Sequence, residues 1–435
     1  MKKKVALHNL GCKVNAYETE AMGEMFSEQG YEIVPFKEGA DIYVINTCTV
    51  TNIADRKSRQ MLHRAKKLNP KAVVVAVGCY AQAFADDLEQ DEAIDIIIGN
   101  DRKKEIVNIV EGHLKKSVID INDTSVKREF EELNIQSMEE HTRAYMKIQD
   151  GCNQFCTYCI IPYARGRVRS RKPENIIKEV DRLVEKGYKE IVLTGIHLSS
   201  YGVDFKEEEI KLIDIIKQVG QKKEIKRIRL GSLEPRIITR EFMEALTQID
   251  SFCPHFHLSL QSGCDETLKR MNRRYTSGEY LEGCNLIRNY YPDAAITTDV
   301  IVGFPGETDE EFEACRNFLE QVNFAQMHIF KYSKRAGTKA AIMESQISDA
   351  KKTERSEKLL SLNDRLHQKY LERFLGKRTE VLFEEKVMLD GREYYVGHTM
   401  EYVKIAVQSG ENLMNRIIDV QPVKLLNNEI VLAIF

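Results

Sequence analysis

The sequence has no apolar run long enough to cross a membrane. The longest candidate segments cover residues 72–77 and 94–98, the second interrupted by Asp95, and both have only the length of a strand, whereas a membrane span needs about 20 apolar residues. Three lysines follow the first methionine, but His8 and Asn9 interrupt the apolar core that a signal peptide requires. We therefore expect a cytoplasmic protein with no membrane partner.

The sequence also has few prolines and glycines and no excess of positive charge. The 435 residues include 9 Pro and 24 Gly, which excludes collagen-like and linker-dominated chains. Lysine and arginine number 64 against 67 acidic residues, a net charge of −3. This balance does not indicate a strongly basic nucleic-acid binder, so any contact with RNA must come from local patches.

Alternating strand and helix patterns predict an α/β chain of about three domains, the number expected for this length. Residues 1–118 predict an open parallel α/β domain, and the polar, acidic residues 119–141 are typical of a linker. Residues 142–371 contain six β/α units, too few for an eight-stranded barrel, and so predict a partial (β/α)6 barrel. Residues 372–435 contain five short strand-like runs, which predict a small OB-like β-barrel.

Ten cysteines are the most informative residues of the sequence. Disulfides are rare in the cytoplasm, where clustered cysteines more often bind metals or take part in catalysis. Cys152, Cys156 and Cys159 form a C-x3-C-x2-C cluster directly after a predicted strand. No fourth Cys or His lies nearby, so a closed zinc site lacks one ligand. A [4Fe–4S] cluster with one iron open to a small molecule fits this set better than zinc or three core thiols.

Three further cysteines occupy equivalent positions in the N-terminal region. Cys12, Cys48 and Cys79 each lie one to three residues past the end of a predicted parallel strand. Loops at the carboxyl ends of such strands converge on one crevice. Scattered cysteines are more often small core residues, but this repeated placement favours a shared functional site.

The chain resembles the methylthiotransferase family of radical S-adenosylmethionine (SAM) enzymes over essentially its whole length. The resemblance rests on GCKVNAYETE at the start, NTCTVTNIADRKSRQ around Cys48, VGCYAQ around Cys79 and DGCNQFCTYCIIPYARGRVRSR around the C-x3-C-x2-C cluster. It also includes LGSLEP and DVIVGFPGET further along the chain. Within the family, the residues after Cys48 are most similar to the branch that acts on N6-threonylcarbamoyladenosine in tRNA.

This resemblance implies two [4Fe–4S] clusters and SAM as cofactors. Cys152, Cys156 and Cys159 would hold the SAM-cleaving cluster, and the three N-terminal cysteines would hold an auxiliary cluster. The enzyme would add a methylthio group to C2 of N6-threonylcarbamoyladenosine at position 37 of tRNA, a step that no side-chain acid or base can perform. The alternatives within the family are isopentenyladenosine in tRNA and an aspartate of a ribosomal protein.

The resemblance also implies partners and further site residues. tRNA would be the substrate, a flavodoxin or ferredoxin the electron donor, and the C-terminal barrel a TRAM-like RNA-binding domain; the sequence does not identify the sulfur donor. Strand-end positions are the candidates for SAM contacts, although ordinary turn chemistry explains each of them as well. These candidates are Thr194, Gly195, Ser232, Glu234, Gln261 and Val302.

Two basic runs are candidates for RNA contacts. Residues 165–172 hold five cations in eight residues, and residues 56–67 hold six in twelve. Neither run contains an acidic residue. A solvated basic face is the usual explanation of such a run, but both runs follow predicted cluster cysteines, which favours phosphate binding. The RNA-binding candidates are Arg165, Arg167, Arg169 and Arg171. The competing class of function is a non-catalytic RNA-binding protein with a structural metal site, which the missing fourth ligand disfavours.

Overall fold

The computed structural model describes residues 2–112, 118–124, 126, 128–133, 142–206 and 209–435. Its first unit is a six-stranded parallel sheet in the order β2-β1-β3-β4-β5-β6. The strands are β1 (Lys4–Asn9), β2 (Glu32–Ile33), β3 (Ile42–Thr47), β4 (Val73–Gly78), β5 (Ile96–Ile98) and β6 (Val118–Asp120). The helices are α1 (Lys13–Glu28), α2 (Asn52–Leu68), α3 (Cys79–Ala83), α4 (Ala85–Glu89) and α5 (Ile106–Gly112).

Helices cover both faces of this sheet. Every residue of β3, IYVINT, is buried, as expected for a parallel strand between two helical layers. Met22 and Phe26 of α1 pack on one face, and Leu62 and Ala65 of α2 pack on the other. The sheet is therefore rigid, and the loops at its carboxyl edge, which carry three cysteines, are held in place.

The second unit is a partial barrel of six parallel strands. They are β7 (Arg143–Asp150), β9 (Glu190–Gly195), β10 (Arg227–Leu230), β11 (His255–His257), β12 (Ala295–Val302) and β13 (Gln326–Lys331), while β8 (Arg169–Ser170) pairs antiparallel with β7. An isolated bridge between Leu233 and Leu258 joins the β10 side to the β11 side. The helices are α6 (Ile161–Ala164), α7 (Pro173–Glu185), α8 (Leu212–Gly220), α9 (Arg240–Leu246), α10 (Asp265–Arg270), α11 (Ser277–Tyr290), α12 (Asp309–Val322) and α13 (Asp349–Glu372). Among the described strands β7 and β13 do not pair, so the barrel is open on one side.

Side chains of the barrel strands alternate between an apolar outer face and a polar inner face, as the two-residue period of a strand requires. On β7, Ala144, Met146 and Ile148 share the outer core with the helices. The residues between them face inward, and so do the corresponding residues of the other strands; we call the enclosed space the barrel interior. Its lining includes Tyr145, Lys147, Gln149, Glu190, Thr194, Arg229, His255, His257, Thr297, Asp299 and His328.

The last unit is a closed barrel of β14 (Thr379–Leu389), β15 (Arg392–His398), β16 (Lys404–Val407), β17 (Ile417–Leu425) and β18 (Ile430–Ile434). Its order β14-β15-β16-β18-β17, with β16 and β18 parallel, is that of an OB-type barrel. It seals the amino-terminal end of the partial barrel. Tyr402 stacks on His255 at 4.4 Å between ring centroids, and the guanidinium of Arg229 lies 5.0 Å from the Tyr402 ring.

The fold class expected from the sequence is confirmed: a parallel α/β sheet, a partial barrel and a small β-barrel follow one another along the chain. The boundaries at 118, 141 and 371 stay predictions. The segment interpreted as a linker is partly built into the fold, since β6 extends to Asp120 and Leu133 is buried in the core of the partial barrel; residues 134–141 lie outside the described residues. No helix of the described chain is long and apolar enough to cross a membrane.

Candidate functional site

Cys12, Cys48 and Cys79 lie at the carboxyl edge of the first sheet. Cys12 precedes α1, Cys48 directly follows β3, and Cys79 is the first residue of α3. Strands β1, β3 and β4 are neighbours in the sheet, so the three loops emerge side by side. The structure thus brings together the three residues that the strand-end pattern singles out.

Gly11 allows the loops to approach this closely. Its φ is +108°, and a Cβ at this position would lie 2.8 Å from Cys48 Sγ. Any side chain here would occupy the space beside the thiol. The first loop is therefore shaped around Cys48, and the free space in front of the thiols is kept open.

Cys152, Cys156 and Cys159 lie in the loop that follows β7, at the carboxyl edge of the partial barrel. The backbone N–H of Cys159 donates to the carbonyl of Cys156 (3.0 Å), and the N–H of Cys152 donates to the carbonyl of Gly166 (3.0 Å). Gly151 has a φ of +68°, and a Cβ there would lie 1.9 Å from the carbonyl oxygen of Arg167. The loop is thus folded tightly enough to turn three thiols toward one region.

Burial shifts the pKa values of several of these cysteines. Burial raises the pKa of Cys48 and of Cys159 to about 12, and that of Cys152 to about 11. Such thiols stay protonated and unreactive at neutral pH unless a cation takes the place of the proton. Bound iron supplies that charge and holds the thiolate directly, so both groups of three thiols fit a cluster.

Arg165 connects the two groups of cysteines. Its Nε donates to Cys79 Sγ (3.1 Å), and its Nη1 donates to Glu18 Oε1 (2.8 Å) and Asp150 Oδ1 (3.2 Å). Asp150 immediately precedes the loop of Cys152. All of these groups are buried, so the arginine fixes the first sheet against the partial barrel at the place where both cysteine edges meet.

Two lysines complete this buried network of charges. Lys147 Nζ lies 2.7 Å from Glu18 Oε1 and 2.6 Å from Asp150 Oδ2, and Lys103 Nζ lies 3.3 Å from Glu18 Oε2. Although burial alone would raise it, the surrounding cations, Arg165 first, hold the pKa of Glu18 far below its ordinary value. The carboxylate is therefore ionised, and the network is a set of fixed charges at the junction of the two units.

Arg273 has a similar position beside the second group. Its Nη1 donates to Cys156 Sγ (3.3 Å), and its Nε donates to the hydroxyl oxygen of Tyr275 (2.9 Å). Tyr158, between two of the cysteines, packs edge-on against Phe304 with 6.4 Å between ring centroids. A cation thus offsets negative charge at the sulfurs, and aromatic rings cover one side of the loop.

Most of the predicted SAM contacts surround the same loop. Thr194 and Gly195 end β9, and Gln149 Oε1 accepts from the backbone N–H of His197 (2.7 Å) just beyond them. Glu234 carries an ion pair to Arg236 (2.7 Å), and Gln261 has a φ of +73°. Ser232 is exposed on the loop after β10.

Val302 differs from the other candidates in the placement of its side chain. The side chain is buried in the outer apolar core, in phase with Val300 on β12. The predicted SAM contact at this position would therefore be made by its backbone.

The basic run 165–172 also differs from expectation. In a fully extended segment Arg167, Arg169 and Arg171 would lie on one face, but β8 is only two residues long. Arg165, Arg169 and Arg171 are buried; Arg171 Nε pairs with Glu132 (2.7 Å) and Arg169 Nη2 with Asp150 (3.4 Å). These three arginines have a structural role, because carboxylates from other parts of the sequence balance their positive charges. Of the four predicted RNA-binding arginines, Arg167 alone is exposed, with its guanidinium 4.5 Å from the ring centroid of Phe155.

The second basic run forms a surface on α2. A shallow groove there is lined by Arg56, Arg59, Gln60, His63, Arg64 and Lys67. The N-terminus of this helix contacts the end of β13, since the N–H of Asn52 donates to Ser333 Oγ (3.0 Å). Arg335 strengthens the contact through Asp55 (2.6 Å). The first turn of α2, where the groove begins, therefore lies beside the chain that follows β13.

Sequence reasoning missed several residues of this site. Glu18, Arg273 and Arg335 act through partners more than 100 positions away, which no local pattern reveals. Lys13 was also missed, although its place directly after Cys12 is a visible signal. Its Nζ lies 5.9 Å from the ring centroid of Tyr145, inside the partial barrel.

The inner wall opposite Lys13 is made of imidazoles and one carboxylate. His257 Nε2 lies 3.3 Å from Asp299 Oδ2, and His328 completes a group whose ligand atoms all lie within 4.8 Å of one another. Burial is the main cause that lowers the pKa of His255 and of His328, and the charge of Lys13 adds to the effect on both. Lys13 is therefore in electrostatic contact with residues of β7, β11 and β13.

Comparison with known proteins agrees with this arrangement. Residues 146–319 match the Radical SAM superfamily, and residues 4–99 match a family described as Uncharacterized protein family UPF0004. A radical S-adenosylmethionine methyltransferase, TsrM, from Kitasatospora setae, solved with cobalamin and a [4Fe-4S] cluster bound, has the same fold, with a TM-score of 0.57 and 14% identity over 79% of this chain and 77% of that chain.

Sequence relatives are much closer. The threonylcarbamoyladenosine tRNA methylthiotransferase MtaB of Bacillus subtilis (strain 168) is 42% identical over 97% of this chain and 94% of its own length. The tRNA-2-methylthio-N(6)-dimethylallyladenosine synthase of Thermoanaerobacter sp. (strain X514) is 38% identical over 87% of this chain and 81% of its own length. Since these relatives extend over nearly the whole chain, the protein belongs to the methylthiotransferase family of radical SAM enzymes.

Proposed function

We propose that the protein adds a methylthio group to C2 of N6-threonylcarbamoyladenosine at position 37 of tRNA, giving 2-methylthio-N6-threonylcarbamoyladenosine. The observation that carries the proposal is the pair of three-cysteine groups that face one junction and share Arg165. One group serves SAM, and the other serves the sulfur that is transferred. The 42% identity to a relative named for this nucleoside supports the choice of substrate.

Members of the radical SAM superfamily use a [4Fe–4S] cluster and SAM. In this chain Cys152, Cys156 and Cys159 hold that cluster, and Cys12, Cys48 and Cys79 hold an auxiliary one. Together these cofactors would supply the one-electron chemistry that breaks an unactivated C–H bond and the sulfur that takes the place of the hydrogen. Protein side chains alone cannot carry out this reaction.

The residues of the chain bind, orient and shield. Thr194, Glu234 and Gln261 lie at strand ends around the SAM-binding loop, and Arg273 balances charge at Cys156 (3.3 Å). The OB-type barrel closes the far end of the interior through Tyr402. A base that enters from the open side would therefore reach the region between the two cysteine groups.

RNA contacts come from exposed cations at this entrance. Arg56, Arg64 and Lys67 project from α2, and Arg167 lies over Phe155 with exposed Tyr163 beside it. Cations hold phosphates, and aromatic faces stack unpaired bases. The C-terminal barrel is a further RNA-binding module of the TRAM type, and a flavodoxin or ferredoxin supplies the electrons.

The second candidate substrate is the adenosine that carries a dimethylallyl (isopentenyl) group, favoured by the relative at 38% identity. Mass analysis of tRNA nucleosides from a strain without this protein separates the two. We expect loss of 2-methylthio-N6-threonylcarbamoyladenosine, accumulation of its precursor and an unchanged isopentenyl derivative. Loss of the isopentenyl derivative instead would overturn the proposal, and no change in either nucleoside would point to the ribosomal-protein aspartate.

A further inference from the structure

Lys13 is a cation placed inside the partial barrel by the sheet that carries Cys12. It begins α1, directly after the cysteine, and its side chain passes Tyr145 on β7 at 5.9 Å to the ring centroid. Its charge reaches the imidazoles of His255 and His328 across the interior. The residue is nevertheless exposed to solvent, because the interior is open between β7 and β13.

The acidic groups around Lys13 already have other partners. Glu190 accepts from Arg229 Nε (2.8 Å), and Asp299 lies 3.3 Å from His257. Glu384 is shared between Arg143 and His398. Among the ion pairs found in the described part of the chain none involves Lys13, although the charge of Glu190 acts on its ammonium from a longer distance. Lys13 is thus a cation of the interior without a direct carboxylate partner among the described residues.

Such a cation beside the reaction site is suited to an anionic group on the substrate. The two candidate nucleosides differ in this respect, because the threonylcarbamoyl substituent ends in a carboxylate and the isopentenyl substituent is an uncharged hydrocarbon. Both substituents are attached at N6. This nitrogen is bonded to C6, and only N1 separates C6 from C2 along the ring. A base that presents C2 to the sulfur beside Cys12 therefore brings its N6 substituent close to the next residue of the chain.

We infer that Lys13 binds the carboxylate of the threonylcarbamoyl group and thereby selects the charged nucleoside over the isopentenyl one. This inference rests on the proposed function and deepens it by naming the group that the site recognises. Lys13 acts in binding and selection, and it takes no part in the radical chemistry. The polar wall of His257, Asp299 and His328 lies opposite and gives the rest of the substituent hydrogen-bonding partners.

The first test leaves the protein unchanged. Two anticodon stem-loops are made, one with N6-threonylcarbamoyladenosine and one with its methyl ester, which removes the charge and keeps the shape. With the reconstituted holoenzyme, binding is followed by fluorescence anisotropy and methylthiolation by mass analysis. We expect the ester to bind about 10- to 100-fold more weakly, the usual value of a charge-assisted hydrogen bond. Equal binding of acid and ester would overturn the inference.

Variants then assign the effect to this residue. Lys13→Gln should bind acid and ester equally, Lys13→Glu should prefer the ester, and Lys13→Arg should restore the preference for the acid. Lys178→Gln, on the exposed face of α7, is the matched control and should behave as wild type. Iron content and SAM cleavage without RNA verify that each variant keeps its clusters. A preference for the acid that survives in Lys13→Gln protein with full iron content would refute the role of Lys13.

The outcomes separate this inference from the proposed function. If the wild-type enzyme modifies neither stem-loop, the choice of nucleoside falls. If it modifies the acid but Lys13→Gln discriminates equally well, the nucleoside stands and the recognition residue is a different one.

Discussion

The Nε of Arg165 lies 3.1 Å from the sulfur of Cys79 while its Nη1 lies 2.8 Å from Glu18. One buried side chain thus touches a cysteine of the first sheet and the carboxylate that anchors α1 to the partial barrel. Hydrogen bonds to sulfur ligands tune the potential of an iron–sulfur cluster, so the same arginine links the stability of the domain junction to the chemistry of the auxiliary site.

Replacing Arg165 should destabilise the fold far more than replacing its exposed neighbour. Arg165→Gln leaves the carboxylates of Glu18 and Asp150 short of a buried partner, and such a loss costs about 3–5 kcal/mol. Arg167→Gln is the matched control and should change the free energy of unfolding by less than about 0.5 kcal/mol. Urea denaturation of both variants measures the difference; equal effects would contradict the buried network.

Two clusters predict about eight irons per chain after anaerobic reconstitution. Replacing Cys152, Cys156 and Cys159 together by Ala should leave about four. Cys264→Ala, in a loop outside both groups, is the control and should keep the full content. Iron content that is unchanged in the triple variant would refute the two-cluster assignment.

Cys48→Ala should separate the two chemical steps. The SAM-binding loop keeps its own three ligands, so reductive SAM cleavage to 5′-deoxyadenosine should survive while methylthiolation of tRNA is lost. Product analysis by liquid chromatography measures both in one reaction. If both activities fall equally in a correctly folded variant, the two groups do not have separate roles.

The groove on α2 should dominate the salt dependence of tRNA binding. Each phosphate contact contributes roughly 0.7–0.9 to the slope of log affinity against log salt, so Arg56, Arg64 and Lys67 changed to Gln should lower the slope by about 2–3. A control with Lys217, Lys223 and Lys226 changed to Gln removes three exposed cations near the start of β10, at the opposite edge of the barrel. It should leave the slope unchanged. Filter binding across a salt series distinguishes the two; an identical slope in both variants would mean that α2 is only a solvated face.

The burial of His197 should reduce the stability of the protein on mild acidification. Burial lowers its pKa from 6.5 to about 4. Between these two pH values His197 is protonated in the unfolded chain and neutral in the folded protein. Stability is therefore complete above pH 6.5 and is lost as the pH falls toward 4, by up to about 3 kcal/mol. Denaturation at pH 7.5 and pH 5 should show a smaller difference for His197→Gln than for wild type; an equal difference would assign the effect to other histidines.

The sequence predicts the framework well because the framework is local. Apolar runs of strand length between helical patterns define both sheets, and cysteines directly after strands are placed by the geometry of parallel strands alone. The number of C-terminal strands also follows from turn residues and spacing.

The electrostatics could not be predicted in this way. The run 165–172 has no acid within it, yet Arg165 pairs with Glu18, 147 positions away, and Arg171 with Glu132. A charge run looks solvated until the partners brought by the fold are known. The strand AITTDVIV likewise does not show by itself which of its two faces is inward.

The stacking of Tyr402 against the amino-terminal end of the partial barrel sets a length scale for the substrate. The cysteine loops lie at the other end of β7, whose 8 residues correspond to roughly 26 Å at about 3.3 Å per residue. The C-terminal barrel, which we propose to bind RNA, is held at that distance from the cysteine loops. An RNA bound at both ends would have to reach around the partial barrel, so we expect a full tRNA to bind more tightly than a bare loop of the same sequence.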